Sequence, residues 1–176
     1  MTTEDFSFDP KRMLSVLTKH GVDFIVIGGV AATLHASPFA TFDLDICPAP
    51  GTDNLRRLTA ALEELDARIR VTDEPEPMKI NFSPKVIEAA PFLNLITKWG
   101  PLDIVHRPGG TEGYRDIARD AKKVKIQDLE VAIASRADVL RSKEAVYRDK
   151  DIPTIRVLRE LEERELEKRS KGSESS

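Results

Sequence analysis

A small mixed β-sheet with helices packed on it, an α/β (α+β) domain ending in C-terminal helices, is the architecture this sequence predicts. Three observations carry the prediction. Short apolar runs alternate with amphipathic helical patterns over most of the chain, glycine and proline bound the strand-like runs, and helical patterns gather towards the end. The 176 residues, 40% hydrophobic and 32% charged, supply one core and fall short of two. One domain over residues 1–170 is expected, followed by a tail over 171–176 that has nothing to bury and should be disordered.

The elements follow in order. DPKRMLSVLTKHG has an Asp-Pro start, Met13, Leu14 and Leu17 at helical spacing and a closing Gly21, so it reads as a first helix. VDFIVIGG is an apolar run ending in glycines and reads as a buried strand, and the alanine-rich stretch 30–35 suits a short helix leaving the Gly28-Gly29 turn. TFDLDICPA alternates: Phe42, Leu44 and Ile46 point one way, Thr41, Asp43 and Asp45 the other. TDNLRRLTAALEELDA begins with a threonine or aspartate N-cap and carries Leu55, Leu58 and Leu62 on one face of a helix. RIRVTDEPEPMKINFSP holds two short strands around an acidic, proline-bearing loop. After a short helix over 84–90, FLNLITKWGPLDIVHR reads as two strands joined at WGP, with Trp99 a hydrophobic anchor at the turn. TEGYRDIARDA is helical, KKVKIQ and EVAIAS are strand-like, and the remainder is helical to about Arg169.

Bulk properties remove several classes. No stretch approaches the roughly 20 apolar residues of a membrane-spanning helix, and MTTEDFSFDP is acidic where a secretory signal is basic and then apolar. A cytoplasmic protein with no membrane partner is expected. The single cysteine, Cys47, excludes an intrachain disulfide or a thiolate metal cluster and reads as a small core residue. A net charge of −3 gives no general attraction to nucleic acid, although RDAKKVKIQ and SRADVLRSKEAVYRDK are locally basic, as a polyanion site or as solvated faces. His20, His35 and His106 show no metal-ligand spacing.

The stretch GGVAATLHASPFATFDLDI concentrates the chemistry. A strand sends residues two apart to one face, so Asp43 and Asp45 project side by side with about 6–7 Å between their Cα atoms. Like charges that close are tolerable on a solvated strand face or with a divalent cation between them; Mg²⁺ prefers hard oxygen ligands and leaves positions for water and phosphate. Asp103, inside the apolar run LDIV, offers a third carboxylate, costly there unless paired, exposed or cation-bound. Gly28 and Gly29 stand at a strand-to-helix turn, where free backbone amides suit an anion, or where the backbone simply packs closely. A phosphate cradle and converging acids are what metal-assisted phosphoryl or nucleotidyl transfer requires.

These residues resemble a known family. GG, then DLD within apolar flanks and a later LDI, is similar to the nucleotidyltransferase superfamily that includes DNA polymerase beta. GGVAATLHASP, TFDLDI and SRADVLRSKEAVYRDKD together resemble its minimal bacterial branch, related to the abortive-infection (AbiEii) and MenT-type toxins of toxin–antitoxin pairs. The resemblance implies a nucleotidyltransferase fold, Mg²⁺ or Mn²⁺ as cofactor and an NTP as substrate. It places Gly28, Gly29 and Thr41 at the phosphates, makes Asp43, Asp45 and Asp103 the metal ligands with Asp103 also the base, and brings Lys143, Lys150 and Asp151 to the nucleotide. Lys143 and Lys150 also suit solvated helix charges, and Asp151 is a natural N-cap for IPTIRVLREL. Arg136, Lys143 and Lys150 recur every seven residues and would share a stripe if one helix ran through them. Phe39 stands where many relatives carry an arginine. The implied reaction moves an NMP to a hydroxyl acceptor, tRNA first, with an antitoxin as partner; the alternative is a nucleotide-binding or interaction module of the same fold with weak or no turnover.

Overall fold

Side-chain periodicity and turn residues locate most of the elements. The structure, a computed structural model, describes residues 7–173. Helix α1 (Pro10–Lys19) is capped by Asp9, whose carboxylate accepts from the Arg12 amide at 3.1 Å, and it buries Met13, Leu14 and Leu17. Strand β1 (Phe24–Ile27) is buried throughout. It runs directly into α2 (Gly28–Leu34), so the two glycines are the helix's first residues rather than a separate turn. Strand β2 (Leu44–Pro48) follows, with Asp43 just before its first residue.

Helix α3 (Thr52–Glu64) starts behind Gly51, whose φ of +114° replaces the expected side-chain cap. The acidic loop yields only β3 (Arg68–Ile69), with Ile69 bridged to Met78, because its prolines leave too few amides for a longer ladder. Helix α4 (Pro84–Ala89) is capped by Ser83, and β4 (Phe92–Thr97) and β5 (Gly100–Val105) form the hairpin closed at Trp99, whose ring carries the Arg12 guanidinium 4.2 Å from its centroid. Helix α5 (Tyr114–Ala118), β6 (Lys122–Ile126), β7 (Leu129–Ile133), α6 (Arg136–Val146) and α7 (Ile152–Ser173) complete the chain. Helix α7 continues past Arg169 to Ser173, so residues 171–173 are helical where a tail was expected; residues 1–6 and 174–176 lie outside the described residues, the latter being the other half of that tail.

All seven strands join one sheet in the order β3-β4-β5-β2-β1-β7-β6, parallel at β2–β5 and β1–β7 and antiparallel elsewhere. Strand alternation divides the central faces. Leu93, Leu95, Leu44, Ile46, Leu102 and Ile104 are buried on one side, while Asn94, Asp45, Asp103 and Val105 stand half-buried on the other. That second face carries the site. Cys47 is fully buried, as expected of a core residue, and burial pushes its thiol up to about 12. Among the described residues no helix is long and apolar enough to cross a membrane.

Candidate active site

Three carboxylates meet at the centre of the open face. In the parallel β2–β5 ladder Asp45 lies directly beside Asp103, and Asp43 precedes β2 by one residue, so carboxylate oxygens of all three lie within 4.8 Å of one another. Neighbouring parallel strands set this convergence, and the alternation keeps all three acids on one side. Burial raises the Asp45 carboxyl to about 7, with repulsion from Asp43 and Asp103 adding to it and Lys143 and Arg148 opposing it. Burial likewise raises Asp103; Arg70 opposes that shift, and Asp43 adds to it. The nearest guanidinium nitrogen of Arg70 lies 3.8 Å from Asp103 Oδ1, beyond hydrogen-bonding reach, and that oxygen is buried without a hydrogen-bond partner.

The glycines and Thr41 fit tightly against these acids. Gly28 has φ +63°, and a Cβ there would sit 2.8 Å from Asp45 Cγ, so only glycine lets α2 begin over the carboxylate. At Gly29 a Cβ would sit 2.9 Å from Thr41 Cβ. Close packing is therefore one reason for the pair; both glycines also line the cavity described below. Thr41 Oγ1 donates to Asp43 Oδ1 at 3.0 Å and so orients the first acid of the cluster.

A cationic wall faces the acids, and here the chain departs from the expected helical stripe. Helix α6 stops at Val146 and Tyr147 takes a left-handed conformation (φ 48°, ψ 56°), after which residues 149–151 form a 3₁₀ turn. One helix does not run through Arg136, Lys143 and Lys150. Arg136 points to Glu162 and Glu165 on α7, away from the acids, with its Nε 2.8 Å from Glu162 Oε1. Lys143 instead reaches Asp151, Nζ to Oδ1 at 2.7 Å, and Arg148 Nε donates to the other oxygen at 2.8 Å. Asp151 does not serve as a simple cap for α7: its buried carboxylate accepts from these two cations. Burial disfavours its charged form, but the two hydrogen bonds outweigh burial and hold the carboxyl below its ordinary range.

Both walls line one open cavity of about 1000 Å³, which brings together Gly28, Gly29, Thr41, Asp43, Asp45, Asp103, Lys143, Lys150 and Asp151. Two of its cations, Arg70 and Arg148, escaped the sequence analysis. Nothing local marks Arg70; it reaches Asp103 only because β3 is an edge strand beside β4. The i,i+3 spacing of Arg148 to Asp151 was a usable signal. Phe39, Phe42 and Phe92 give the mouth an aromatic rim, all three exposed. His35 sits outside the cavity lining and binds the Ala134 carbonyl at 2.7 Å, a support between α2 and the end of β7.

The donor set fits a divalent cation. Three hard carboxylate oxygens within mutual ligating distance, with Asp103 Oδ1 buried without a hydrogen-bond partner, match the oxygen ligation of Mg²⁺ or Mn²⁺. The mixed sheet with helices packed on it and C-terminal helices has a nucleotidyltransferase-like architecture. Solved structures share the fold. The lincosamide antibiotic adenylyltransferase LnuA, solved with lincomycin, superposes with a TM-score of 0.57 at 16% identity, covering 90% of this chain and 97% of its own. ANT(2″)-Ia, solved with adenylyl-2″-tobramycin, gives 0.53 at 17% identity over 95% and 97%. A Thermotoga maritima protein assigned as a nucleotidyltransferase gives 0.52 at 13% identity over 88% and 91%. No family model and no curated protein matches the sequence, so the likeness at these identities is one of fold.

Proposed function

We propose that the protein is a metal-dependent nucleotidyltransferase that moves an NMP from an NTP to a hydroxyl acceptor. The observation that carries the reading is the convergence of Asp43, Asp45 and Asp103 opposite Lys143, Arg148 and Lys150 across one cavity. A Mg²⁺ or Mn²⁺ held there would supply charge neutralisation for the acids and the triphosphate and Lewis-acid chemistry at the phosphate. Asp43 and Asp45 would hold it, Thr41 orients Asp43, and the cationic wall gives the cavity a positive side that suits a polyphosphate. Asp103, its carboxyl raised by burial, takes the proton of the acceptor hydroxyl as that oxygen bonds the α-phosphorus and the bond to pyrophosphate breaks.

RNA, tRNA first, is the acceptor implied by the toxin-branch resemblance, with an antitoxin as partner. A small hydroxyl-bearing molecule is the second reading, favoured by the antibiotic adenylyltransferases among the fold relatives. Incubation with each α-labelled NTP, Mg²⁺ and either total RNA or a panel of lincosamides and aminoglycosides tests both. Label on RNA or on a small molecule, lost in Asp43→Ala, supports transfer and names the acceptor. NTP binding with no label on any acceptor, or on the protein, replaces the enzyme by a nucleotide-binding module.

A further inference from the structure

We infer that Arg148 and Lys143 form a two-cation grip for the outer phosphates of the NTP, and that Asp151 is the positioning residue that sets it. The inference rests on the nucleotidyltransferase reading of the cavity and deepens it: Arg148 gains a substrate contact, and Asp151 acts through its neighbours.

The geometry is specific. Asp151 is 4% exposed and accepts one hydrogen bond per oxygen, from Lys143 and from Arg148. The Lys143 side chain is itself 11% exposed, so its ammonium is fixed where the carboxylate holds it. Arg148 differs: its side chain is 56% exposed, Asp151 engages only its Nε, and neither Nη group is hydrogen-bonded among the described residues. A guanidinium anchored through Nε is held near that carboxylate and keeps four N–H donors for phosphate oxygens. Arg148 lines the same cavity as Asp45.

The chain path serves this arrangement at a cost. Tyr147, a bulky residue in left-handed conformation, closes α6 through a 2.7 Å bond from its amide to the Lys143 carbonyl. The 3₁₀ turn then returns Asp151 to Lys143. A continuous helix would have needed no such residue.

An internal contrast shows what an arginine held by aspartates does when it serves the fold alone. Arg141 is bound by Asp116 at 3.0 Å and Asp138 at 2.8 Å, and it lines no part of the cavity. Arg148 has one aspartate, an unengaged edge and the acid cluster across from it.

Inorganic tripolyphosphate with Mg²⁺ is a probe independent of base preference; ATP, GTP, CTP and UTP complete the set, with binding to the full chain measured calorimetrically. Arg148→Ala should weaken tripolyphosphate and NTP binding about tenfold or more, the scale of a charge-assisted hydrogen bond, without weakening Mg²⁺ binding measured alone. Asp151→Asn should weaken the same probes comparably, Asp151→Glu should restore part of the loss, and adding Arg148→Ala to Asp151→Asn should cost little more, because the two act as a unit. Arg141→Ala is the control and leaves binding unchanged. The exposure of Arg148 keeps its variant folded, so loss of fold in Asp151→Asn does not obscure the result. Unchanged tripolyphosphate binding in Arg148→Ala, or full additivity of the two substitutions, overturns the inference and leaves the enzyme reading standing. Failure of the wild-type protein to bind any probe overturns both.

Discussion

The acidic and basic walls of the cavity are built in opposite ways. Asp45 and Asp103 sit on adjacent parallel strands of the central sheet, and with Asp43 they repel one another. Lys143, Arg148 and Asp151 sit where a helix has been broken and folded back, and they satisfy one another. A wall of unsatisfied like charge awaits a counter-ion, whereas a wall with an internal ion pair is set in place before a ligand arrives. Rigid strands provide the first and a conformationally costly turn the second.

The sharpest way to break this contrast is to remove charge from the acid wall. Asp45→Asn or Asp103→Asn should lower nucleotidyl transfer roughly a hundredfold or more, the scale of several kcal/mol of lost transition-state stabilisation, in single-turnover assays with Mg²⁺. Tripolyphosphate binding without metal should survive, because the basic wall is intact. Comparable loss of both would merge the two walls into one unit.

Proton linkage sharpens the contrast in metal-free buffer. The folded protein holds a proton on Asp45 up to about 7 where the unfolded chain releases it near the ordinary aspartate value of 3.8. Between those values the folded state binds more protons, so stability falls as pH rises through the window and levels off above it. Asp45→Asn should flatten the profile in thermal unfolding. Mg²⁺ should raise the melting temperature more at about pH 8 than at about pH 5.5, since metal and proton compete for the same oxygens.

Gly28→Ala should destabilise by about 1–2 kcal/mol from its left-handed backbone alone, and contact with Asp45 adds to that. Urea unfolding measures the change, and a neutral result would mean α2 can withdraw from the acid wall. The smallest effect belongs to Arg136→Ala: nucleotide binding unchanged and only a small loss of thermal stability, since the side chain joins α6 to α7. Weakened tripolyphosphate binding would restore the heptad stripe.

The legible part of this molecule was its short-range part. Alternation in TFDLDICPA gives a strand with two acids on one face, and the Asp-Pro start signal of α1 marks a real helix end. The misread stripe of Arg136, Lys143 and Lys150 shows the boundary. Helical spacing is a statement about a continuous helix, and a single left-handed residue at Tyr147 voids it. The sequence offers Asp151 a place at the nucleotide by resemblance and a capping role by its neighbours, while Lys143, eight residues earlier, decides what its carboxylate does.

By itself, the sequence determined most of the element types and the pairing of Asp43 with Asp45, because each depends on backbone geometry over a few residues. Only the tertiary structure decided that β5 lies parallel to β2 with Asp103 beside Asp45, that Arg70 arrives from the edge, and that the chain turns back to place Arg148 across from the acids. Those outcomes depend on which distant segments bury surface together, a choice that local periodicity does not carry.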